Sequence, residues 1–231
     1  MATEAVENYL KAIYTLCRES PTGEAGMTRI AAAVGVTTGT ATSMIKKLAR
    51  ARLARYERFG GVSLAPKGTR VALDIIRRHR LVETFLVRTL KLDWSVVNEE
   101  AERLEHAVSS RVLEALDRHL GHPEFDPHGD PIPGANGRIA ERSLQPLSEC
   151  GAGERVTLAQ VLDQREESLR FLQGRGVVVG ARLRVRSVEP LAGTLTIENE
   201  RGERIALGEL AARRLLVAAH AVRGARSGAA R

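Results

Sequence analysis

The stretch MTRIAAAVGVTTGTATSMIKKLARARL, residues 27–53, decides how the first third of the chain folds. Its pattern predicts a short helix, a turn at Gly35 that requires a positive φ, and a second helix from about Thr37 to about Ala51. Two helices joined by a tight glycine turn form a helix-turn-helix. That motif places its second helix in the major groove of DNA.

Candidate DNA-contacting residues lie on the second of these helices. Its first half carries small hydroxyl side chains at the end that would enter the groove, and two lysines follow where phosphates would lie. The residues are Thr37, Thr38, Gly39, Thr40, Thr42, Ser43, Lys46 and Lys47. The alternative is a helical pair that has no role in binding nucleic acid.

The flanking sequence extends this motif into a winged helix. Residues 5–17 place apolar side chains at helical spacing, which predicts an amphipathic first helix. Downstream, LARYERF and VSLAP surround Gly60 and Gly61, which predicts a two-residue hairpin turn between short strands. A helix, a helix-turn-helix and a basic hairpin in this order favour a DNA-binding domain.

Charge is distributed unevenly along the 231 residues, whose net charge is +7. Residues 1–75 hold 11 Lys/Arg against 6 Asp/Glu, whereas residues 76–140 hold 9 against 11. A basic first third favours a polyanionic partner, and an acidic middle third favours cations. Arginine outnumbers lysine 30 to 5, which codon bias alone could produce, so charge by itself decides little.

Composition excludes several classes of protein. Hydrophobic residues make up 43% of the chain, enough to bury real cores, so disorder throughout is not expected. Cys17 and Cys150 lie far apart without a CxxC pattern, so neither a disulfide framework nor a structural zinc site is predicted. The acidic N-terminus is unlike a signal peptide, and no apolar run approaches the length of a membrane span. We therefore expect a soluble, cytoplasmic protein without a membrane partner.

The segment EAERLEH, residues 100–106, raises the question of what neutralises its charges. Side chains three and four apart share one helix face, so Glu102, Glu105 and His106 should converge. Two carboxylates and an imidazole that close require a cation between them, and a divalent metal is the obvious candidate. A solvated acidic helix face is the alternative.

Two helices are predicted in the middle third, over residues 68–90 and 96–116. The first carries His79 and Glu83 one turn apart on the same face, and the second carries EAERLEH. Each helix therefore presents a set of carboxylate and histidine side chains. Leu113 and Leu116 are not needed to fill the core of a single monomer, so they are candidates for a dimer interface.

Three later motifs follow the winged helix in a fixed order: RRHRLVETFL, NEEAERLEH and DPHGDPIPG. Together they resemble the metal-dependent repressors of the diphtheria-toxin-repressor and manganese-transport-regulator family, across essentially the whole chain. The resemblance implies an α+β, multidomain fold and a homodimer. Its expected parts are a winged helix-turn-helix (1–72), a helical metal-binding and dimerisation domain (73–140), a small SH3-like β-barrel (141–220) and a flexible tail (221–231).

The resemblance also implies two neighbouring metal positions in each subunit. The residues are Asn8, Glu102, Glu105 and His106 for one position, and His79 and Glu83 for the other. Iron-sensing members carry a methionine where Asn8 stands and a cysteine where Glu102 stands, whereas the manganese-sensing branch has an acid at both. Glu102 matches the manganese branch, Asn8 is neutral, and Lys11 replaces a further acid of some two-domain members. Asn98 stands where the iron branch has a ligand histidine.

The ligand chemistry favours Mn²⁺ as the cofactor, with Fe²⁺ as the alternative. Oxygen-rich sites with one or two imidazoles suit hard ions, and replacing a soft sulfur by Glu102 removes a preference for later metals. Among the divalent first-row transition metals, Mn²⁺ binds a given protein site most weakly, so selectivity for Mn²⁺ must come from coordination number and geometry.

A second group of possible metal ligands lies in GHPEFDPHGDPIPG: His122, Asp126, His128 and Asp130. Four prolines and three glycines mark this segment as a connector, and its role is expected to be structural. From about Leu144 short β-rich runs separated by glycines predict a barrel of about five strands. The run REESLRFLQGRGVVVGARLRV resembles the SH3-like domain of FeoA proteins. Glu166 or Glu167 could reach the His79 position, with a solvated helix start as the alternative.

The resemblance thus implies a regulator that binds a palindromic double-stranded DNA operator when Mn²⁺ is bound, and that represses genes for metal uptake. No catalysis and no small-molecule substrate are expected. One competing class is a metalloenzyme that activates water with the clustered Glu and His side chains. The chain has no Gly-rich phosphate loop and no nucleophile-base pair beside them. A third hypothesis is a DNA-binding regulator that answers to a protein partner.

Overall fold

The computed structural model describes residues 3–57 and 60–219, so the predicted tail 221–231 lies outside the described residues. The first two thirds are helical, apart from a two-stranded wing. The helices are α1 Glu4–Glu19, α2 Met27–Ala33, α3 Thr38–Arg50, α4 Pro66–Arg88, α5 Val97–Leu104 and α6 Ser110–His119. The wing strands are β1 Ala54–Tyr56 and β2 Val62–Leu64. Within residues 3–57 and 60–219, no helix combines the length and apolarity needed to cross a bilayer.

The chain divides into two compact units. The first comprises Met1–Leu90, Glu99–Glu124 and Pro131–Ala140. The second comprises Lys91–Asn98, Phe125–Asp130 and Glu141–Arg231, so two short segments of the middle third belong with the β-rich part.

The helix-turn-helix is present as predicted. Gly35 joins α2 to α3 with φ +68°, a conformation that costs glycine nothing. Apolar residues at helical spacing on α1, α2 and α3 meet in one core, in which five large side chains are at most 1% exposed; these are Leu10, Ile13, Ile30, Ile45 and Leu48. Burial of each such side chain contributes about 1.5–3 kcal/mol, which fixes α3 on the surface of the unit.

The wing is an antiparallel hairpin, but its predicted two-residue turn is wrong. Pairing runs from Ala54 opposite Leu64 to Tyr56 opposite Val62, which leaves residues 57–61 as the connection. Gly61 instead allows the Glu24 side chain to lie close to the backbone, because a Cβ at this position would be 2.4 Å from a Glu24 carboxylate oxygen.

The predicted helix 68–90 is confirmed as α4, which begins slightly earlier, with Pro66 in its first turn. The predicted single helix 96–116 is wrong, because the chain forms α5 and α6 with a turn between them. Ser109 starts α6 afresh by accepting the N–H of Val112 at 3.4 Å. Glu105 and His106 therefore lie in the turn after α5 and not within a continuous helix.

The two leucines proposed for a dimer interface have different environments. Leu113 is 5% exposed and packs with Leu81 and Ile132, so it belongs to the core of its own unit and its assignment to an interface is wrong. Leu116 is half-buried and borders an open cavity beside Val112, whose side chain is exposed. On α6, the apolar surface that another chain could cover is therefore the face that carries Val112 and Leu116.

The second unit is built on an antiparallel sheet of six strands in the order β3-β8-β4-β5-β6-β7, one more than the sequence suggests. Its elements are β3 Gln145–Pro146, a 3-10 turn Leu147–Glu149, β4 Arg155–Val161, α7 Glu166–Gly174, β5 Arg182–Glu189, β6 Thr194–Glu198, β7 Arg204–Gly208, α8 Glu209–Arg213 and β8 Leu215–Ala219. Alternate residues such as Ile205 and Leu207 of β7 face inward, as expected for a sheet with one buried face.

Candidate metal centre and DNA-binding face

The cation between the carboxylates of EAERLEH is a lysine side chain. Lys11 of α1 directs its ammonium nitrogen, Nζ, to Glu102 Oε1 at 2.7 Å and to Glu105 Oε2 and Oε1 at 2.9 and 3.1 Å. The same nitrogen lies 3.1 Å from His79 Nδ1 of α4. One side chain therefore links α1 to α4 and to the region around the end of α5. We call Lys11, His79, Glu102 and Glu105 the lysine half of the cluster.

The other part of the cluster surrounds His106, and we call Glu7, Asn8 and His106 the histidine half. His106 Nδ1 lies 2.7 Å from Glu7 Oε2, and Nε2 lies 2.8 Å from Asn8 Oδ1. Glu105 Oε1 is 3.6 Å from the same Nε2, so the buried Glu105 carboxylate borders both halves. Glu7, Asn8 and Lys11 are presented together because they lie three and four residues apart on α1.

Buried ion pairs set the charge state of the lysine half. Burial alone would lower the pKa of His79, but the charge of Glu83 and hydrogen bonds with Glu105 and Glu83 outweigh it and raise the pKa to about 9. Burial would raise the pKa of Glu105, but the hydrogen bond with His79 and the charges of Lys11 and His79 bring it below its usual range. The Nδ1 of His79 is 2.6 Å from Glu105 Oε2, which suits an imidazolium donating to a carboxylate.

The donor atoms of the histidine half fit a hard divalent ion. If its proton is on Nδ1 toward Glu7, the His106 imidazole can offer the Nε2 lone pair to an ion that Asn8 Oδ1 and Glu105 Oε1 could also bind. One nitrogen and two oxygens without sulfur form the donor set that Mn²⁺ accepts, and Fe²⁺ also binds such sites. Asn8, Glu105 and His106 could therefore hold a metal.

The structure brings together all six side chains that the sequence nominated as ligands, but groups them differently. Glu102 lies with His79 and not with His106, since the ligand atoms of His79, Glu102 and Glu105 fall within 4.8 Å of one another. Glu83 approaches His79 Nε2 at 3.3 Å through its Oε1 atom.

Sequence reasoning missed two contributors to this cluster. Glu7 orients His106, and Lys11 supplies a positive charge where the sequence indicated only the loss of an acid. The spacing of Glu7, Asn8 and Lys11 on one helix face was the available signal.

The acids and histidines of the connector after α6 form hydrogen bonds both within the connector and with distant residues. Asp126 accepts the backbone N–H groups of His128 and Asp130, each at 2.9 Å. His128 Nε2 lies 2.8 Å from the carbonyl oxygen of Trp94, whose ring stacks on the imidazole. His122 pairs instead with Asp117. These contacts agree with the expected structural role of this segment.

The nominated DNA-contacting residues form one outward face of α3. Thr37 caps the helix by accepting the N–H of Thr40 at 3.2 Å. The hydroxyls of Thr42 and Ser43 donate to carbonyl oxygens of the preceding turn, at 2.7 and 3.1 Å. Those hydroxyl protons are therefore already in use, and the face offers methyl groups and oxygen acceptors. Lys46 and Lys47 are exposed beyond it.

Models of known protein families match three consecutive parts of the chain. The N-terminal DNA binding domain of iron dependent repressors matches residues 1–62. The metal binding and dimerisation domain of iron dependent repressors matches residues 65–134. The FeoA domain matches residues 145–219.

Individual relatives extend over most of the chain. The iron-dependent repressor IdeR of Mycobacterium tuberculosis is 31% identical over 208 residues, which are 84% of this chain and 89% of the relative. The regulator MntR of Bacillus pumilus is 34% identical over 116 residues, 50% of this chain and 78% of the relative. A solved structure described as a manganese-dependent transcriptional repressor in complex with manganese has a TM-score of 0.85 and 38% identity, and covers 93% of this chain and 100% of its own.

Proposed function

The chain belongs to the family of metal-dependent, helix-turn-helix transcriptional repressors, and from this premise we propose that it is a Mn²⁺-responsive repressor of metal-uptake genes, with Fe²⁺ as the alternative ion. The family consists of DNA-binding proteins and not of enzymes, so the metalloenzyme hypothesis is set aside. DNA binding and dimerisation come with the matched domains.

The observation that carries the choice of ion is the donor set around His106. Asn8, Glu105 and His106 offer oxygen and nitrogen without sulfur, and Glu102 stands where iron-sensing members have a cysteine. Both features suit Mn²⁺ better than softer ions. The likeness to a manganese-dependent repressor over almost the whole chain supports the same ion.

The ligand set assigned to the ion spans separate elements, and this provides a route from sensing to DNA binding. Asn8 lies on α1, which packs in the same core as α3, while Glu105 and His106 lie in the turn after α5. Asn8 Oδ1, the Glu105 carboxylate and His106 would hold a divalent ion, whose positive charge would draw these groups to one point. The residues of α1 then hold the DNA-binding domain at a fixed place against the dimerisation domain. In a homodimer, the two recognition helices would then be held about 34 Å apart and would read the two half-sites of a palindromic operator. We expect this binding to take place in the cytoplasm.

Operator binding and metal content, measured on the same samples, test this proposal. A DNA fragment from the promoter of the chain's own gene or of a neighbouring metal transporter is titrated under reducing conditions with Mn²⁺, Fe²⁺, Co²⁺ or Zn²⁺. Mn²⁺ should tighten operator binding by about 5- to 150-fold, the usual range of coupling between two sites. DNA binding should in turn tighten Mn²⁺ binding by the same factor.

The outcome separates the remaining hypotheses. Activation by Fe²⁺ at ion concentrations where Mn²⁺ has no effect would support the iron alternative. Equal operator binding with and without every ion would contradict metal sensing and favour a regulator that responds to a protein partner.

A further inference from the structure

We infer that Lys11 is a built-in cation that takes the place of a metal ion between His79 Nδ1, Glu102 and Glu105, so that the lysine half of the cluster binds no ion and the histidine half binds one. The inference rests on the proposed function, because it concerns the number of ions at the proposed sensor. It departs from the two neighbouring positions that the sequence motifs imply.

The first support is the position of the ammonium group. Nζ of Lys11 contacts Glu102, Glu105 and His79 at 2.7, 2.9 and 3.1 Å. Those three residues are the ones whose ligand atoms lie within 4.8 Å of one another, the span of a coordination shell. Since metal–ligand bonds to oxygen and nitrogen are about 2.0–2.6 Å, an ion held by the same atoms would overlap the ammonium.

The second support is the enclosure of the lysine. Its side chain is 18% exposed, and Glu105, its closest buried partner, is 0% exposed. A lysine ammonium is a compact point charge with three donors, which matches three surrounding carboxylate oxygens, Glu102 Oε1 and both oxygens of Glu105. Repulsion between this charge and a divalent ion at the same place adds to the steric exclusion.

The third support is the separation of the two halves on α1. Lys11 points to His79 and the carboxylates, whereas Asn8 and Glu7 point to His106. The ammonium makes no recorded contact with the donor atoms Asn8 Oδ1 and His106 Nε2 among the described residues. One ion can therefore bind in the histidine half while Lys11 keeps its place.

Exchanging the charge at position 11 tests the inference. The wild-type protein, Lys11→Glu and Lys11→Met are dialysed against MnCl₂, and bound manganese per chain is measured by elemental analysis. Electron paramagnetic resonance on the same samples reports whether Mn²⁺ ions are isolated or coupled, because ions at two-metal sites lie about 3.5–4 Å apart. Arg18→Glu, an equal charge reversal at an exposed position of α1, is the matched control, and circular dichroism verifies folding.

Wild type and Arg18→Glu should bind the same number of ions and show only isolated Mn²⁺. Lys11→Glu should bind one more ion per chain and give a coupled spectrum, because it replaces the ammonium by an oxygen ligand. Lys11→Met, which adds no charge, should bind the second ion more weakly than Lys11→Glu, and keeps the test valid if the glutamate variant does not fold.

Two results would overturn the inference in different ways. Coupled ions in the wild type would refute the role of Lys11 while leaving the proposed function intact, and so would an unchanged ion count in both Lys11 variants. A wild-type protein that binds no Mn²⁺ would refute the proposed function together with the inference.

Discussion

The proposed recognition helix α3 and the proposed ligand cluster both carry lysines, but the two regions place them in opposite surroundings. Lys46 and Lys47 are exposed and form no ion pair with any residue that the structure describes. Lys11 is enclosed by Glu102, Glu105 and His79. A hydrated lysine remains available to a DNA phosphate, whereas an enclosed one has its charge already neutralised. Surroundings, and not residue type, therefore decide whether a lysine is free to bind DNA or is held within the cluster.

The largest effect is expected in the cluster, at Glu102. If Glu102 binds the ion, as the resemblance to the family implies, Glu102→Ala should raise the Mn²⁺ concentration needed for operator binding by about 100-fold or more, since outer-shell changes alone cost about 10- to 100-fold. Glu102→Cys should shift activation from Mn²⁺ toward Fe²⁺ or Co²⁺, because a thiolate is a softer ligand. Fluorescence anisotropy of a labelled operator, titrated with each ion, measures both changes.

Glu100→Ala is the control for this experiment, because Glu100 lies on the same helix and pairs with Arg103 outside the cluster. Both Glu102 variants should remain folded. The Glu102 side chain is 46% exposed, and solvent screening limits its pair with Lys11 to at most about 1 kcal/mol. Metal responses identical to those of the parent protein would show that Glu102 is only a solvated acid.

A smaller effect is expected at Glu7, which holds the Nδ1 side of His106 at 2.7 Å. Glu7→Gln keeps an oxygen acceptor but removes the negative charge that makes the imidazole a stronger ligand. Mn²⁺ affinity should fall by about 10-fold, the lower end of outer-shell effects. Free Mn²⁺ measured by electron paramagnetic resonance gives the dissociation constant directly.

Glu4→Gln provides the matched control for this change, since Glu4 is an exposed acid of the same first turn of α1. An equal loss in both variants would indicate long-range electrostatics, and not an oriented His106. A loss confined to Glu7→Gln would confirm that Glu7 of α1 acts on His106 in the histidine half, whereas Lys11 of the same helix acts in the lysine half.

The sequence predicted the DNA-binding region better than the cluster, and the reason is physical. The exposed face of α3 follows from one helical period and one glycine turn, both of which are local. The cluster depends on how α1 packs against α4 and on where α5 ends, and neither is encoded in a local pattern. Ser109 as the cap of α6 was visible in the sequence, yet the continuous charge pattern around EAERLEH favoured a single helix. The charge on Lys11 was equally visible, but not its three partners.

The smallest effect is expected on α3, and it tests the other side of the comparison. If Lys47 meets a phosphate, Lys47→Ala should weaken binding to every DNA sequence by a similar factor of a few, and should reduce the slope of log affinity against log salt by about one. Specificity should not change, because the Thr42 and Ser43 hydroxyls donate within the helix and the face offers mainly methyl groups and acceptors for reading thymine methyls and DNA shape. Affinities for operator and scrambled DNA between about 50 and 200 mM salt, with Mn²⁺ saturating, measure both quantities.

Lys91→Ala, at an exposed lysine of the second unit, is the control and should leave the slope unchanged. A loss restricted to the operator would place Lys47 at a base edge, whereas an unchanged slope would remove it from the interface.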